Sequence, residues 1–269
     1  MELEGKRLNK YIADAGYCSR READRLIEAG KVEIRRKSRR DEPEHKPFRA
    51  SLGDRVFSGD TVIVSGTELP KKEAKKIYLL LNKPKGIVCT SDLSVPDNVI
   101  SFVGERERIT YAGRLDKDSE GLLLLTNDGD LINAMMHAEN RHEKEYVVTV
   151  DKNLTDDFLK EMASGVKIRL DDEANLRKAE ERSGKAGSVR YVTTRPCRVR
   201  KLTARKFAIV LTQGYNRQIR RMCAALGWSV ESIVRVRVMN LRLGDLRSGQ
   251  VRILTESEKK KLMSELEIG

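Results

Sequence analysis

Apolar residues near the start of the chain recur at helical spacing. In residues 7–34, RLNKYIADAGYCSRREADRLIEAGKVEI, two short helical patterns end at Gly16 and Gly30, which are suited to left-handed helix termini. Ser19 and Glu22 have the spacing of a capping box at the start of the second pattern. The sequence therefore predicts two short helices in this region.

Strand patterns and a polar segment follow. Residues 32–34 are strand-like, and residues 52–66 alternate around two Gly-Asp turns, which predicts a hairpin. Residues 35–49 are basic and interrupted by proline, so we expect an exposed loop that is either an RNA-contacting arm or a solvated insertion. The charged connector at residues 70–76 predicts a domain boundary.

Short strand patterns dominate the rest of the chain, with helical stretches between them. Strands are predicted in residues 77–83, 121–126, 144–150, 207–213 and 232–238, and helices in residues 216–227 and in the tail after Thr255. This alternation indicates an α+β domain around a sheet, with the charged insertion at residues 171–188 outside it. We predict two domains, at residues 5–69 and 76–269.

The net positive charge of the chain indicates the kind of molecule that it binds. The chain has 269 residues and a formal net charge of +12, spread along its length, which favours a polyanion because each neutralised phosphate releases counterions. The four cysteines are far apart and show no CxxC pairing, so neither a zinc site nor a disulfide framework is predicted. With no apolar run of about 20 residues, we expect a cytoplasmic protein without a membrane segment.

The sequence lacks the residue spacings of common nucleotide-binding and metal-binding motifs. The stretch SGKAGS at residues 183–188 lacks the upstream glycine of a P-loop, and no GxGxxG follows a strand. His137 and His142 lie five positions apart, which misses the i, i+4 spacing of a helical metal pair, so surface or structural roles are expected. We therefore expect no metal and no cofactor.

Acidic residues crowd against the most apolar segment of the chain. Residues 113–131, GRLDKDSEGLLLLTNDGDL, hold five carboxylates around a run of four leucines. Asp128 and Asp130 belong to a turn-like NDGD stretch and are expected to be solvated. Asp116 follows Arg114 in a glycine-led loop that enters the leucine strand, where a partly desolvated carboxylate would need a partner. The pattern alone leaves Asp116 as either a reactive carboxylate or a turn residue.

This stretch closely resembles the signature of the S4-domain ribosomal pseudouridine synthases, the RsuA/RluF-like family, in which the aspartate of G-R-L-D is catalytic. The resemblance continues through LNKPKGIVCT, KEYVVTV, QGYNRQIRRMCAALGW and VRVRVMNLRLG, while residues 7–34 resemble the S4 RNA-binding module. It implies a small S4 (αL-type) domain followed by a mixed, mainly antiparallel sheet flanked by helices. RHEKEYVVTVDK and NRQIRRMC look most like the F-type synthases, which implies 23S rRNA as substrate.

Two departures from the family pattern leave the target open. Residues 35–49 stand where the S4 module usually has a tight V-N-G turn, and residues 171–188 look longer than usual. Neither touches the catalytic motifs. The modified uridine, and whether tRNA is a second substrate, are therefore not fixed by the resemblance.

The resemblance also implies the chemistry. Asp116 would react with the target ribose, either as nucleophile at C1′ or as the base that removes the C2′ proton. A carboxylate that must stay ionised in a water-poor pocket needs a fixed cation, for which Arg220 of the N-R-Q-I-R motif is the candidate. Tyr146 matches the family's active-site tyrosine and would stack on the uracil, although its pattern alone favours a core tyrosine.

RNA contacts are expected from arginines and one lysine. Arg114 is implied to fill the gap left by the extruded nucleotide, with a structural salt bridge as the alternative. Arg235 and Arg237 alternate with valines, which predicts a cationic strand face for phosphate. Arg21 and Arg25 share the outer face of the second helix, which either binds RNA or is merely solvated. The predicted RNA-binding set is Arg7, Lys10, Arg20, Arg21, Arg25, Arg114, Arg217, Arg221, Arg235 and Arg237.

Two other classes of protein share the positive charge. A catalytically inactive S4-type RNA-binding or ribosome-assembly factor would have the same arginine helix, but the presence of Asp116, Tyr146 and Arg220 together argues against it. A basic DNA-binding protein would need a recognition helix with a dimer motif, which the sequence does not show. We therefore predict a monomeric RNA pseudouridine synthase, an isomerase.

Overall fold

The computed structural model describes residues 5–38, 45–71, 74–136, 141–170 and 190–268. It divides the chain into two compact units. The first comprises Met1–Ile77, Glu105–Thr110 and Thr126–Gly129, and the second comprises Tyr78–Gly104, Tyr111–Leu125 and Asp130–Gly269. The insertion predicted at residues 171–188 and the middle of the basic loop, residues 39–44, lie outside the described residues.

The first unit contains two helices and short strands. Its elements are β1 (Lys6–Arg7), α1 (Leu8–Asp14), α2 (Arg20–Glu28), β2 (Val32–Arg35), β3 (Phe48–Arg49), β4 (Arg55–Val56), β5 (Thr61–Val64) and β6 (Thr67–Glu68). Both predicted helices are confirmed. Gly16 and Gly30 follow them with φ of 83° and 69°, and the Ser19 side chain accepts the Glu22 N–H at the start of α2. Apolar residues of both helices, including Ile12 and Ala23, are fully buried in one core with the strands.

The hairpin predicted across residues 52–66 is wrong. Strand β4 pairs with β1, whereas β5 pairs with β2 and β6. The Asp60 carboxylate accepts hydrogen bonds from the backbone N–H groups of Phe57 and Lys37. These bonds connect the turn at Gly59–Asp60 to the residues after β2 instead of to a hairpin partner. The tight connection is instead Ser65–Gly66, where positive φ at both residues suits a two-residue hairpin between β5 and β6.

The second unit contains the remaining elements. They are β7 (Tyr78–Lys83), α3 (Val99–Val103), β8 (Thr110–Ala112), β9 (Glu120–Thr126), α4 (Gly129–Met136), β10 (Lys144–Val150), α5 (Asp156–Ser164), β11 (Lys167–Arg169), β12 (Tyr191–Thr193), β13 (Arg198–Thr203), β14 (Lys206–Leu211), α6 (Gln218–Ala225), β15 (Val230–Val238), β16 (Leu241–Arg242), β17 (Val251–Ile253) and α7 (Glu256–Glu265). Within the described ranges, no helix is both long and apolar enough to cross a bilayer.

A mixed sheet is the frame of the second unit. Among the described residues it has nine strands, in the order β13-β14-β10-β15-β9-β7-β17, with β16 beside β15 and β8 beside β9. Strands β15 and β9 are parallel, while β10 is antiparallel to both β14 and β15. The predicted α+β class with a mixed, mainly antiparallel sheet is confirmed. Strands β11 and β12 form a separate two-stranded ribbon.

Two apolar cores cover the sheet. One joins Val148 and Phe207 to helices α5 and α6, and the other joins Leu122 and Leu124 to helices α4 and α7. All four residues of the Leu122–Leu125 run are buried, because β9 lies inside the sheet and is covered on both faces. This buried strand fixes the end of the loop that carries Asp116.

The acidic NDGD stretch does not form a solvated turn. Asp128 is 9% exposed, its N–H donates to Thr126 Oγ1 at 3.0 Å, and its carboxylate lies 3.9 Å from Lys76 Nζ. The prediction that both aspartates are solvated is therefore wrong for Asp128, whereas Asp130 is exposed as predicted. The physical reason is that helix α4 begins at Gly129, so these residues open a helix rather than reverse the chain.

One ion pair predicts how stability depends on pH. Two hydrogen bonds of 2.7 Å from Arg252 lower the pKa of Glu258 from 4.5 to about 2. Because the folded-state pKa is the lower one, this stabilisation is present above pH 4.5 and lost as the pH falls towards 2. We expect Arg252→Met to lower the free energy of unfolding at pH 7 and to reduce the loss of stability across that acid range. Urea unfolding at several pH values measures this, with the exposed Arg242→Met as control.

Candidate active site

The loop of residues 113–119 carries the aspartate predicted to be catalytic. Gly113 begins the loop with a φ of 80°, which favours glycine. A hydrogen bond of 3.0 Å from the Ser119 N–H to the Asp116 carbonyl closes a turn within the loop. Leu115 is 7% exposed and anchors the loop, while Asp116 is half-buried. Within the described part of the chain, the Asp116 carboxylate makes no hydrogen bond or ion pair, so both oxygens are available to a ligand.

The prediction of an exposed cationic face on the strand now defined as β15 is wrong. Arg235 is 2% exposed, and Arg237 forms ion pairs of 2.9 Å with Glu143 and Glu145. The reason is that Arg235 donates to the backbone of the neighbouring strand β9, while Arg237 is held by two glutamates around the start of β10. Neither side chain is free to reach phosphate from solvent.

Arg235 is bonded to the backbone around the catalytic loop. Its Nε donates to the Leu122 carbonyl at 2.7 Å, and its Nη1 donates to the Arg114 carbonyl at 3.4 Å. Leu122 lies in β9 and Arg114 lies two residues before Asp116, so one guanidinium connects both ends of the loop. The buried Arg235 side chain therefore stabilises the loop that carries Asp116.

Arg220 does not contact the Asp116 carboxylate. Its Nη2 donates to the Asp118 carbonyl at 3.1 Å, and its Nη1 donates to the Val230 carbonyl at 3.3 Å. The predicted ion pair between Arg220 and Asp116 is thus not formed in this structure, because the donors are directed at backbone oxygens of the loop and of β15. Arg220 holds the loop through its main chain instead.

Lys83 is a buried cation that sequence reasoning missed. It is 0% exposed, and its Nζ donates to the carbonyls of Pro84 and Ile87 at 2.8 Å and to that of Lys117 at 3.4 Å. Burial lowers the pKa of Lys83, and nearby anionic groups, Asp116 among them, act in the opposite direction. A fixed positive charge therefore lies beneath the catalytic loop.

An open cleft of about 640 Å³ lies over this loop within the second unit. This volume is in the range of ordinary small-ligand pockets. The cleft brings together some predicted site residues, namely Arg114, Asp116, Tyr146, Arg217 and Arg235. It also contains polar residues that were not predicted, including Cys89, His142, Lys144, Arg195, Tyr215 and Gln218. His137, considered with His142 as a metal pair, lies outside the described residues.

Tyr146 borders the cleft from β10. Its ring packs against the core formed with α5 and α6, yet the residue is only half-buried. The two interpretations left open by the sequence, a core tyrosine and a stacking tyrosine, are thus compatible. One part of the ring is fixed by packing while the remainder faces the cleft, as stacking on a base requires.

The arginines of the NRQIRR stretch have separate environments. Arg217 is exposed, adopts a left-handed backbone conformation with φ of 52°, and lies 3.7 Å from the Asp118 carboxylate. Arg221 donates to the carbonyls of Asn216 and Arg169 and so links α6 to β11. Arg217 therefore lies at the cleft, whereas Arg221 supports the neighbouring ribbon. Exposed Arg114 makes no ion pair among the described residues, so the salt-bridge alternative is not supported.

The other predicted RNA-binding residues belong to the first unit. Arg7, Arg21 and Arg25 are exposed, while Lys10 and Arg20 are half-buried. Arg25 donates to the Glu22 carboxylate at 3.1 Å, which partly neutralises its charge. The outer face of α2 is therefore cationic, as the spacing predicts.

Comparison with known proteins decides between the predicted classes. The family model for RNA pseudouridylate synthase matches residues 77–225, more than half of the chain, and the S4 domain model matches residues 6–34. The chain belongs to the RNA pseudouridylate synthase family. This membership confirms the predicted family, the S4 domain and the prediction of an RNA pseudouridine synthase, an isomerase.

Individual members of the RNA pseudouridylate synthase family match over nearly the whole chain. The dual-specificity RNA pseudouridine synthase RluF of Salmonella typhi is 45% identical over 253 residues, which cover 94% of this chain and 76% of RluF. Ribosomal large subunit pseudouridine synthase B of Bacillus subtilis is 33% identical, covering 96% of this chain and 95% of that protein. A crystal structure of a pseudouridylate synthase superposes with a TM-score of 0.60 and 26% identity, covering 96% of this chain and 99% of that one.

Proposed function

We propose that this protein isomerises a specific uridine to pseudouridine in ribosomal RNA, with 23S rRNA as the target and Asp116 as the catalytic aspartate. The observation that carries the proposal is the Asp116 carboxylate, which has no partner among the described residues and lines an open cleft of about 640 Å³. The reaction breaks the N-glycosidic bond and rejoins C1′ to C5 of the same base, so a group that reacts at the ribose is the central requirement. Attack at C1′ and removal of the C2′ proton both start from this carboxylate.

The remaining roles follow from position. The target base must leave its stack to reach the cleft, and the Tyr146 ring offers a face on which uracil can stack. Arg114, exposed and two residues from Asp116, can occupy the space that the extruded nucleotide vacates. Arg220 acts on Asp116 through the main chain of the loop, with its bond to the Asp118 carbonyl. Its proposed role is therefore positioning rather than direct ion pairing.

We assign RNA binding to a domain at residues 5–69 and catalysis to a domain at residues 76–269, in a monomeric cytoplasmic enzyme. One relative is named a dual-specificity RNA pseudouridine synthase, which supports a second RNA substrate, and we propose tRNA as the candidate. The competing candidate is an S4-type RNA-binding factor without activity. It would bind the same RNA and leave its uridines unchanged.

Mapping of pseudouridines tests the proposed function. Total rRNA and tRNA are compared between cells with and without this protein, and purified protein is then incubated with RNA fragments that span each differing site. We expect a pseudouridine in 23S rRNA to disappear from the deficient cells and to be restored by the purified protein. RNA binding at matched salt without any conversion would favour the inactive binding factor.

The arginine face of α2 predicts a separable contribution to RNA binding. Replacing Arg20, Arg21 and Arg25 together by Gln should weaken rRNA binding and flatten its log–log salt dependence by up to about three units, because each lost phosphate contact removes released counterions. Turnover at saturating RNA should change little, since this binding energy is shared by ground and transition states. Binding isotherms at several salt concentrations and single-turnover assays measure both. An unchanged salt slope would identify this face as solvated surface only.

A further inference from the structure

A lysine on the wall of the cleft has no acidic partner among the described residues. Lys144 begins β10, two residues before Tyr146, and lines the same cleft as Asp116. Its Nζ donates to the His142 carbonyl at 3.2 Å. It forms no ion pair with a carboxylate in the part of the chain that the structure describes. Because an ammonium group has three donors, two remain for a ligand.

Other positive charges lie near Lys144. Burial lowers the pKa of Lys144, and the positive charge of Arg235 lowers it further. Arg195 is exposed, lines the same cleft and makes no ion pair among the described residues. Like charges in a partly desolvated site repel each other, and an anion bound there relieves that repulsion. The site is therefore prepared for an anionic group of the ligand.

We propose that Lys144 binds a phosphate of the RNA strand next to the target uridine and so fixes the ribose over Asp116. The inference rests on the proposed function, because that function brings RNA into the cleft. Lys144 and Tyr146 lie on the same face of β10, and two residues of strand separate them by about 7 Å. A base on the tyrosine ring therefore places the sugar-phosphate backbone of the same strand within reach of the lysine.

Matched variants separate this role from a structural one. Lys144→Gln removes the charge, whereas Lys144→Arg keeps it. Lys201→Gln is the control, because Lys201 Nζ also donates to a backbone carbonyl, that of Leu154 at 3.4 Å, but does not line the cleft. We expect Lys144→Gln to weaken binding at least about tenfold, as loss of a hydrogen bond between charged groups does. The log–log salt slope should fall by roughly 0.7 to 0.9. Lys144→Arg should restore the slope, and Lys201→Gln should not change it.

A modified RNA then identifies the group that is bound. Substrates with one neutral methylphosphonate linkage, placed 5′ or 3′ of the target uridine, are bound to wild-type protein and to Lys144→Gln. At the linkage held by Lys144, wild-type binding should weaken, and the lysine substitution should cause little further loss, as coupled partners require. Equal additional loss at both linkages, or a wild-type salt slope in Lys144→Gln, would overturn the proposal. Wild-type conversion is measured in the same samples, so binding without conversion would instead count against the proposed function.

Discussion

Asp116→Asn is expected to bind RNA as the wild-type protein does and to convert almost no uridine. The substitution keeps the shape of the side chain but removes the charge and the nucleophilic oxygen. Because this carboxylate makes no hydrogen bond or ion pair within the described residues, its loss should not disturb the fold. Removal of a group that acts directly in the chemical step costs at least about a thousandfold in turnover. Single-turnover conversion, measured by nucleoside analysis, and RNA binding at matched salt give the two readouts.

Asp118→Asn is the matched control for this prediction. Asp118 is exposed in the same loop and lies 3.7 Å from Arg217, so its substitution removes the same charge two residues away. We expect this variant to retain most of the wild-type turnover. Substantial conversion by Asp116→Asn would move the chemistry to another residue. An equal loss in both variants would mean that the charge of the loop, rather than one carboxylate, supports activity.

Much of the fold could be predicted because local patterns and tertiary packing agree. Strand β10 has the predicted bounds, and α7 begins at the predicted cap, with the Thr255 side chain accepting the Glu258 N–H and the Glu258 side chain accepting the Thr255 N–H. The apolar face of α6, including Met222 and Cys223, is buried as its spacing predicts. Local chemistry does not select strand partners, however. The residues around Gly59 and Asp60 form a turn, yet they do not join paired strands.

The candidate site was predicted less completely than the fold. Asp116 and Tyr146 were identified by resemblance, and the structure places both in one cleft. The burial of Arg235 could not be predicted, because the carbonyl that its Nε binds belongs to Leu122, 113 residues away. Valines on either side of an arginine are equally compatible with an exposed face. Lys83 was missed for a different reason. Its hydrogen-bond partners are backbone carbonyls, which every residue type provides, so the residue sequence around Lys83 does not indicate them.

Arg235→Met should show how far the catalytic loop depends on this buried guanidinium. Methionine fills much of the volume but leaves the Leu122 and Arg114 carbonyls without their donor, and the buried Leu122 acceptor alone costs about 1–3 kcal/mol. The strands are tightly packed here, since Gly121 has a φ of 109° and a Cβ at that position would collide with the Arg235 backbone. The loop is therefore the part that can move. A displacement of about 1 Å at Asp116 can cost on the order of a hundredfold in turnover, and we expect a loss of that size.

Two further variants distinguish loop positioning from a general loss of stability. Arg235→Lys keeps the charge but cannot donate to both carbonyls from one planar group, so its turnover should be intermediate. Arg242→Met removes an exposed arginine from the neighbouring strand β16 and should have near wild-type turnover. Turnover at saturating RNA is compared with urea unfolding, because positioning predicts a large loss of turnover in protein that is still fully folded. If Arg235→Met loses activity only in proportion to its unfolded fraction, or if Arg235→Lys is no more active than Arg235→Met, the guanidinium does not hold Asp116 in place.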